Sequence, residues 1–158
     1  MRKANSKIMP RSSNHEKITG NFCEYLVLYL LSLNGFECVR ADHIGIDIIA
    51  RDPGTKEIMG ISVKGRSRTP KTREDTIMIS KDNLEKASKS CKDFKCHPYF
   101  AIAADIVDRL VVFLLPLKEF KGLSLKGKTC QWKMTEENIR EYYKNPRIKK
   151  FEPWLIKN

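Results

Sequence analysis

The chain has 158 residues, enough for one domain with a sizeable core, and its 41% hydrophobic content excludes wholesale disorder. Lys and Arg number 30 against 19 Asp and Glu, so the formal charge of +11 favours an anionic partner, with nucleic acid the commonest for a basic domain. Cys23, Cys38, Cys91, Cys96 and Cys130 are odd in number and scattered, which argues against a disulfide framework and for a reducing cytoplasm.

Met1 to Glu16 is polar and basic and reads as a mobile arm able to touch a nucleic-acid backbone; 17–158 reads as a single domain. The arm has no apolar signal core, and the apolar run Tyr25–Leu33 is too short to span a bilayer, so no membrane is expected. Helical spacing of Phe22, Leu26, Tyr29, Leu30 and Leu33 predicts a helix over Ile18–Asn34, closed by Gly35 and Phe36. Val27, Leu28 and Leu31 make it apolar on most sides, as a buried helix would be.

Strands are expected at Cys38–Asp42, Ile44–Arg51 and Glu57–Gly65, the last two joined by a turn at Asp52-Pro53-Gly54-Thr55. A strand over Thr76–Ile79 leads to Ser80, which can cap a helix over Lys81–Lys92. Tyr99–Ala104 and Leu110–Leu115 read as two more strands. Lys121, Lys126 and Lys128 mark a solvated loop, Thr135–Lys144 a late helix, and Trp154 and Leu155 a docking tail. A helix, a meander and then mixed elements argue for α/β or α+β architecture with a mixed sheet.

The chemistry begins at the hairpin. A tight turn at Pro53-Gly54 places Ile48 beside Ile61, with Ile46, Ile48 and Ala50 sharing a face with Met59, Ile61 and Val63. Asp47 then falls on the face of Ser62 and Lys64. Alone, an Asp–Lys neighbour pair is a surface contact worth under about 1 kcal/mol. Two features raise its interest. Glu24 is the sole charge between Asn21 and Phe36, so it either sits on an exposed stripe near the helix start or needs a cation, a metal or hydrogen bonds. Lys64, Arg66 and Arg68 alternate along one face, with Lys71 and Arg73 beyond, forming a track suited to a phosphate chain.

Gly20, Glu24, the apolar helix, Gly35-Phe36, Gly45-Ile46-Asp47 and Ser62-Val63-Lys64-Gly65-Arg66 resemble the PD-(D/E)XK nuclease superfamily. Its members include restriction endonucleases, archaeal Holliday-junction resolvases and Mrr-like enzymes. The resemblance covers Gly20 to Arg68 closely and the later elements loosely. It implies a restriction endonuclease-like αβββαβ core with an additional C-terminal strand and helix. It also implies that Asp47 and Glu24 hold Mg²⁺ or Mn²⁺, with a backbone carbonyl near Val63, and that Lys64 orients water or stabilises developing charge. Ser62 departs from the pattern: the family most often has Glu, Asp or Gln there, so one carboxylate ligand is missing. The serine hydroxyl could still hold a metal-bound water.

These readings make the chain a metal-dependent endonuclease acting on DNA in restriction, repair or recombination, with a homodimer natural for double-strand cleavage. The alternative is a binding module that keeps the fold and basic groove without turnover. A third is a partner of acidic proteins. Outside that constellation, His43 reads as a turn residue, His15 as part of the arm, and Cys91, Cys96 and His97 as ordinary packing. Trp132, Tyr142 and Tyr143 are aromatic enough to stack on bases, but core packing suits them better.

Overall fold

The computed structural model describes residues 10–67, 76–106, 109–126 and 129–153. It opens with helix α1 (His15–Leu33), one turn earlier than apolar periodicity alone suggests. Its C-terminus closes as expected. Gly35 adopts φ 84°, and the Phe36 N–H reaches back to the Leu31 carbonyl at 3.0 Å.

The meander follows as β1 (Glu37–His43), β2 (Ile46–Arg51) and β3 (Ile58–Ser67). Asp52 builds the turn between β2 and β3: its Oδ1 accepts from the N–H groups of Gly54 (2.8 Å) and Thr55 (3.1 Å). Ile48 consequently faces Ile61, the register that turn chemistry and alternation predict. After β4 (Thr76–Ser80), the Ser80 hydroxyl accepts from the Asn83 N–H and caps α2 (Lys81–Asp93). The chain then forms β5 (His97–Ile106) and β6 (Arg109–Pro116), followed by α3 (Leu117–Ser124) and β7 (Leu125–Lys126). It closes with β8 (Thr129–Lys133), α4 (Glu136–Lys144) and β9 (Lys149–Phe151).

Six strands form one mixed sheet in the order β1-β2-β3-β5-β6-β9, with β3 and β5 parallel and the other neighbours antiparallel. β4, β8 and β7 make a second, smaller sheet. This is the mixed α+β architecture expected from the sequence. α1 covers one face of the large sheet, where Val27, Leu30 and Leu31 meet Ile48, Ala50, Met59, Ile61 and Val63. α2, the small sheet, α3 and α4 cover the other, around Phe100, Ile102, Phe113 and Trp132. Each fully buried side chain of this size contributes roughly 1.5–3 kcal/mol.

Three expectations change. α3 occupies part of the lysine-rich segment read as loop, because Leu117 and Phe120 anchor it in the core. Ile46 does not share the face of Ile48 and Ala50: it packs with Cys91 and Cys96 on the α2 side, so alternation breaks at Asp47. Nor is α1 buried on most sides, since Phe22, Tyr29 and Leu33 are exposed. Trp132 and Tyr142 are core residues, their rings stacked at 3.8 Å, and Tyr143 packs against that core. The tail residues Trp154 and Leu155 lie outside the described residues.

Asp52 also ties down the last strand. Its Oδ2 accepts from the Lys149 ammonium of β9. Burial would push this carboxyl up, but the bonds from Lys149, Thr55 and Gly54 outweigh burial and hold it below the ordinary value. A depressed folded value stabilises above the unfolded carboxylate range, near pH 4, and the contribution is lost as pH falls through the folded value. Asp52→Asn is therefore expected to be less stable than wild type in urea unfolding at pH 7, with the gap narrowing in acid below about pH 4. An unchanged gap across that range would show that the charge is not what stabilises the turn.

Candidate functional site

The paired β2–β3 register runs from Arg51↔Ile58 to Ile48↔Ile61, and the chain entering β2 is held differently. Gly45 adopts φ 79° and sits against α2 so closely that an added Cβ would lie 2.6–2.7 Å from main-chain atoms of Lys86 and Ala87. Two hydroxyls pin this entry turn: Ser62 on β3 donates to the Gly45 carbonyl, and Ser90 on α2 donates to the Ile44 carbonyl. Asp47 then bridges the gap with its side chain, Oδ2 accepting from the Val63 N–H at 2.6 Å. Its carboxylate thus touches the residue between Ser62 and Lys64. Oδ1 has no partner among the described residues.

Ser62 is only 4% exposed, and its proton is committed to Gly45. The hydroxyl expected beside the site is therefore a brace for the turn that carries Asp47. Glu24 is half-buried on α1, where its Oε2 accepts from Arg40 Nη2 at 2.7 Å. Arg40 is paired with Ile48, the neighbour of Asp47, and its guanidinium also lies 5.0 Å from the Tyr25 ring. The buried-helix expectation asked for a compensating partner for Glu24, and Arg40 is that partner. Beside Glu24, the Cys23 thiol is pushed up to about 11 by burial and by Asp105 and Glu24, so it stays protonated at neutral pH.

Lys64 opens onto a cleft of about 460 Å³ between the start of α1, the end of β3 and β4. Arg11, His15, Glu16 and Thr19 line it too. Sequence reading placed Arg11, His15 and Glu16 in an arm and so missed their convergence on Lys64. The available signal was the spacing of His15 and Thr19, one helical turn apart, whose side chains approach at 3.4 Å. Of the basic track, Arg68, Lys71 and Arg73 lie outside the described residues, and Arg66 is described only as backbone of β3.

The other candidates have structural partners. His43 packs edge-on against Phe94, with ring centroids 5.0 Å apart. Cys91 and Cys96 meet behind Gly60 because the turn after α2 holds Lys95 at φ 54° and bonds the Cys96 N–H to the Cys91 carbonyl. His97 lies 3.7 Å from Glu57. Among the described residues no group of three or more His, Cys, Asp or Glu side chains could hold a metal ion, and no helix is long and apolar enough to cross a membrane.

No family model matches the chain, and no curated protein does either. The fold is similar to that of Hjc, a Holliday junction resolvase from the hyperthermophile Archaeoglobus fulgidus, with a TM-score of 0.58 and 20% identity over 77% of this chain and 88% of that one. A bacterial homing endonuclease, I-Ssp6803I, is a looser likeness, with a TM-score of 0.46 and 9% identity over 77% and 80% of the two chains. The likeness to Hjc shows the restriction endonuclease-like mixed α+β fold that was expected.

Proposed function

We propose that this protein is a nuclease that hydrolyses DNA phosphodiesters with Asp47 and Lys64, as in the PD-(D/E)XK enzymes its motifs resemble. The observation that carries the reading is the Asp47 carboxylate bonded to the main chain of β3 one residue before Lys64, whose own side chain lines a cleft with Arg11 and His15. Lys64 opposes the negative charge that develops on a phosphate in the cleft. Arg66, Arg68, Lys71 and Arg73, which follow Lys64 in the sequence, are assigned to the flanking phosphate backbone, adding affinity without reading bases. Ser62 acts through Gly45, holding the turn that aims Asp47.

The donor set fits Mg²⁺ or Mn²⁺ in part. Asp47 Oδ1 suits one coordination position, and magnesium needs only one or two carboxylates besides water and substrate. Glu24, the second carboxylate the resemblance implies, has its Oε2 engaged by Arg40 instead. A bound divalent ion would supply Lewis acidity and a hydroxide at neutral pH. The test is cleavage of duplex, single-stranded and branched DNA with Mg²⁺ or Mn²⁺, comparing wild type with Lys64→Met. Loss in the variant supports the proposal; equal cleavage by both would overturn the role of Lys64.

The Glu24–Arg40 pair and the neutral Ser62 favour a second reading, a binding module without turnover. It requires salt-dependent DNA binding with no cleavage by wild type under any of these conditions.

A further inference from the structure

Among the described residues, none covers the outer face of α1. Val27, Leu30 and Leu31 are about 1% exposed, whereas Ile18, Phe22, Tyr25, Tyr29 and Leu33 are 58, 50, 58, 56 and 60% exposed. Steps of four, three, four and four residues put these five on one stripe, roughly 22 Å long at the helical rise. A helix apolar on nearly every side requires cover on nearly every side.

The charge pattern restricts what can provide that cover. The chain carries 30 Lys and Arg, yet α1 contains one Lys, Lys17, and no Arg. Arg40, which reaches the Tyr25 ring, has its charge met by Glu24. A nucleic acid finds almost no cations here, while two copies of a basic chain can approach at this face without the repulsion that operates elsewhere.

The stripe is also self-complementary. Read in either direction it is aliphatic, aromatic, aromatic, aromatic, aliphatic. At its N-terminal end, Ile18, Phe22 and Leu26 form an apolar groove of about 230 Å³ with Ala103, Ala104 and Leu110, and at its C-terminal end Tyr29 and Leu33 project. Each copy thus has a groove at one end and protruding side chains at the other, as a two-fold interface demands.

We infer that this face joins two copies of the chain, α1 packing antiparallel on α1 of the second copy about an axis beside Tyr25. Ile18 then meets Leu33 of the second copy, Phe22 meets Tyr29, and Tyr25 meets Tyr25. Lys17 comes beside the C-terminus of the other α1, whose last turn has no basic residue of its own to oppose the helix dipole. Five half-exposed side chains of this size supply roughly 500 Å² per copy, more than half of the roughly 800 Å² per partner in a standard interface. The groove walls add to it. The inference does not depend on DNA cleavage.

Sedimentation of the full chain over a concentration series tests it, with circular dichroism confirming that each variant stays folded. Wild type is expected to dimerise reversibly. Phe22→Glu and Tyr29→Lys are each expected to weaken dimerisation at least about tenfold, because each removes an aromatic anchor. The double variant, with both substitutions in one chain, places Glu opposite Lys twice in the antiparallel register and is expected to recover most of the loss. A wild type that is monomeric at every concentration would overturn the inference. So would a dimer indifferent to both single substitutions, or a double variant no better than the singles.

Discussion

Asp47→Asn is expected to reduce DNA cleavage on the order of 100- to 1000-fold, the loss typical when one group that stabilises the transition state is removed, while leaving the fold almost as stable as wild type. Asparagine keeps a carbonyl oxygen where Asp47 Oδ2 accepts from the Val63 N–H at 2.6 Å, so the bridge between the entry of β2 and β3 survives. It loses the negative charge that Oδ1 offers to a cation. Asp47→Ala loses both. Leaving the Val63 N–H without its acceptor costs about 1–3 kcal/mol, so alanine should show a lower urea midpoint as well as loss of cleavage. Comparing the two variants separates charge from architecture. Wild-type cleavage by Asp47→Asn would remove Asp47 from the chemistry.

Gly45→Ala is expected to destabilise the fold by about 2–5 kcal/mol, the sum of about 1–2 for a left-handed non-glycine residue and about 1–3 for overpacking. The obstacle is rigid, because the new Cβ would meet main-chain atoms of Lys86 and Ala87 in α2 at 2.6–2.7 Å. Gly35 is the internal comparison. It has a similar φ of 84°, but the nearest atoms to its Cβ position are Pro53 carbons at 3.7–3.8 Å. Gly35→Ala should therefore show only the conformational part, about 1–2 kcal/mol. Equal losses in urea unfolding would mean that α2 can move away from Gly45. A larger loss at Gly45 would mean that the approach of α2 to the Asp47 turn is rigidly set.

Part of this site is legible in the residues alone. Asp52, Pro53 and Gly54 dictate where the chain reverses, and the reversal dictates that Ile48 meets Ile61. Alternation along β2 does not carry that register on to Asp47, whose place is set by its bond to the Val63 N–H. The caps are legible for the same reason: Gly35 and Ser80 act on backbone within one or two turns of themselves. β8 and β9 are not. β8 finds its partner β4 from a distant part of the chain, and β9 is a three-residue strand at the sheet edge, too short for any periodicity to register.

Residue types alone established a basic α+β chain and a hairpin in one register, because each depends on composition, local turn chemistry and alternation along single strands. Only the tertiary structure decided what the polar and charged groups of the site touch. It directed Asp47 to the Val63 N–H, gave Glu24 to Arg40, turned Ser62 into a brace for Gly45, and drew Arg11, His15 and Glu16 to Lys64. It also buried one face of α1 and left the other open, a choice that helical periodicity cannot make when apolar residues lie on both. Such contacts depend on how the layers approach one another, which no single element encodes.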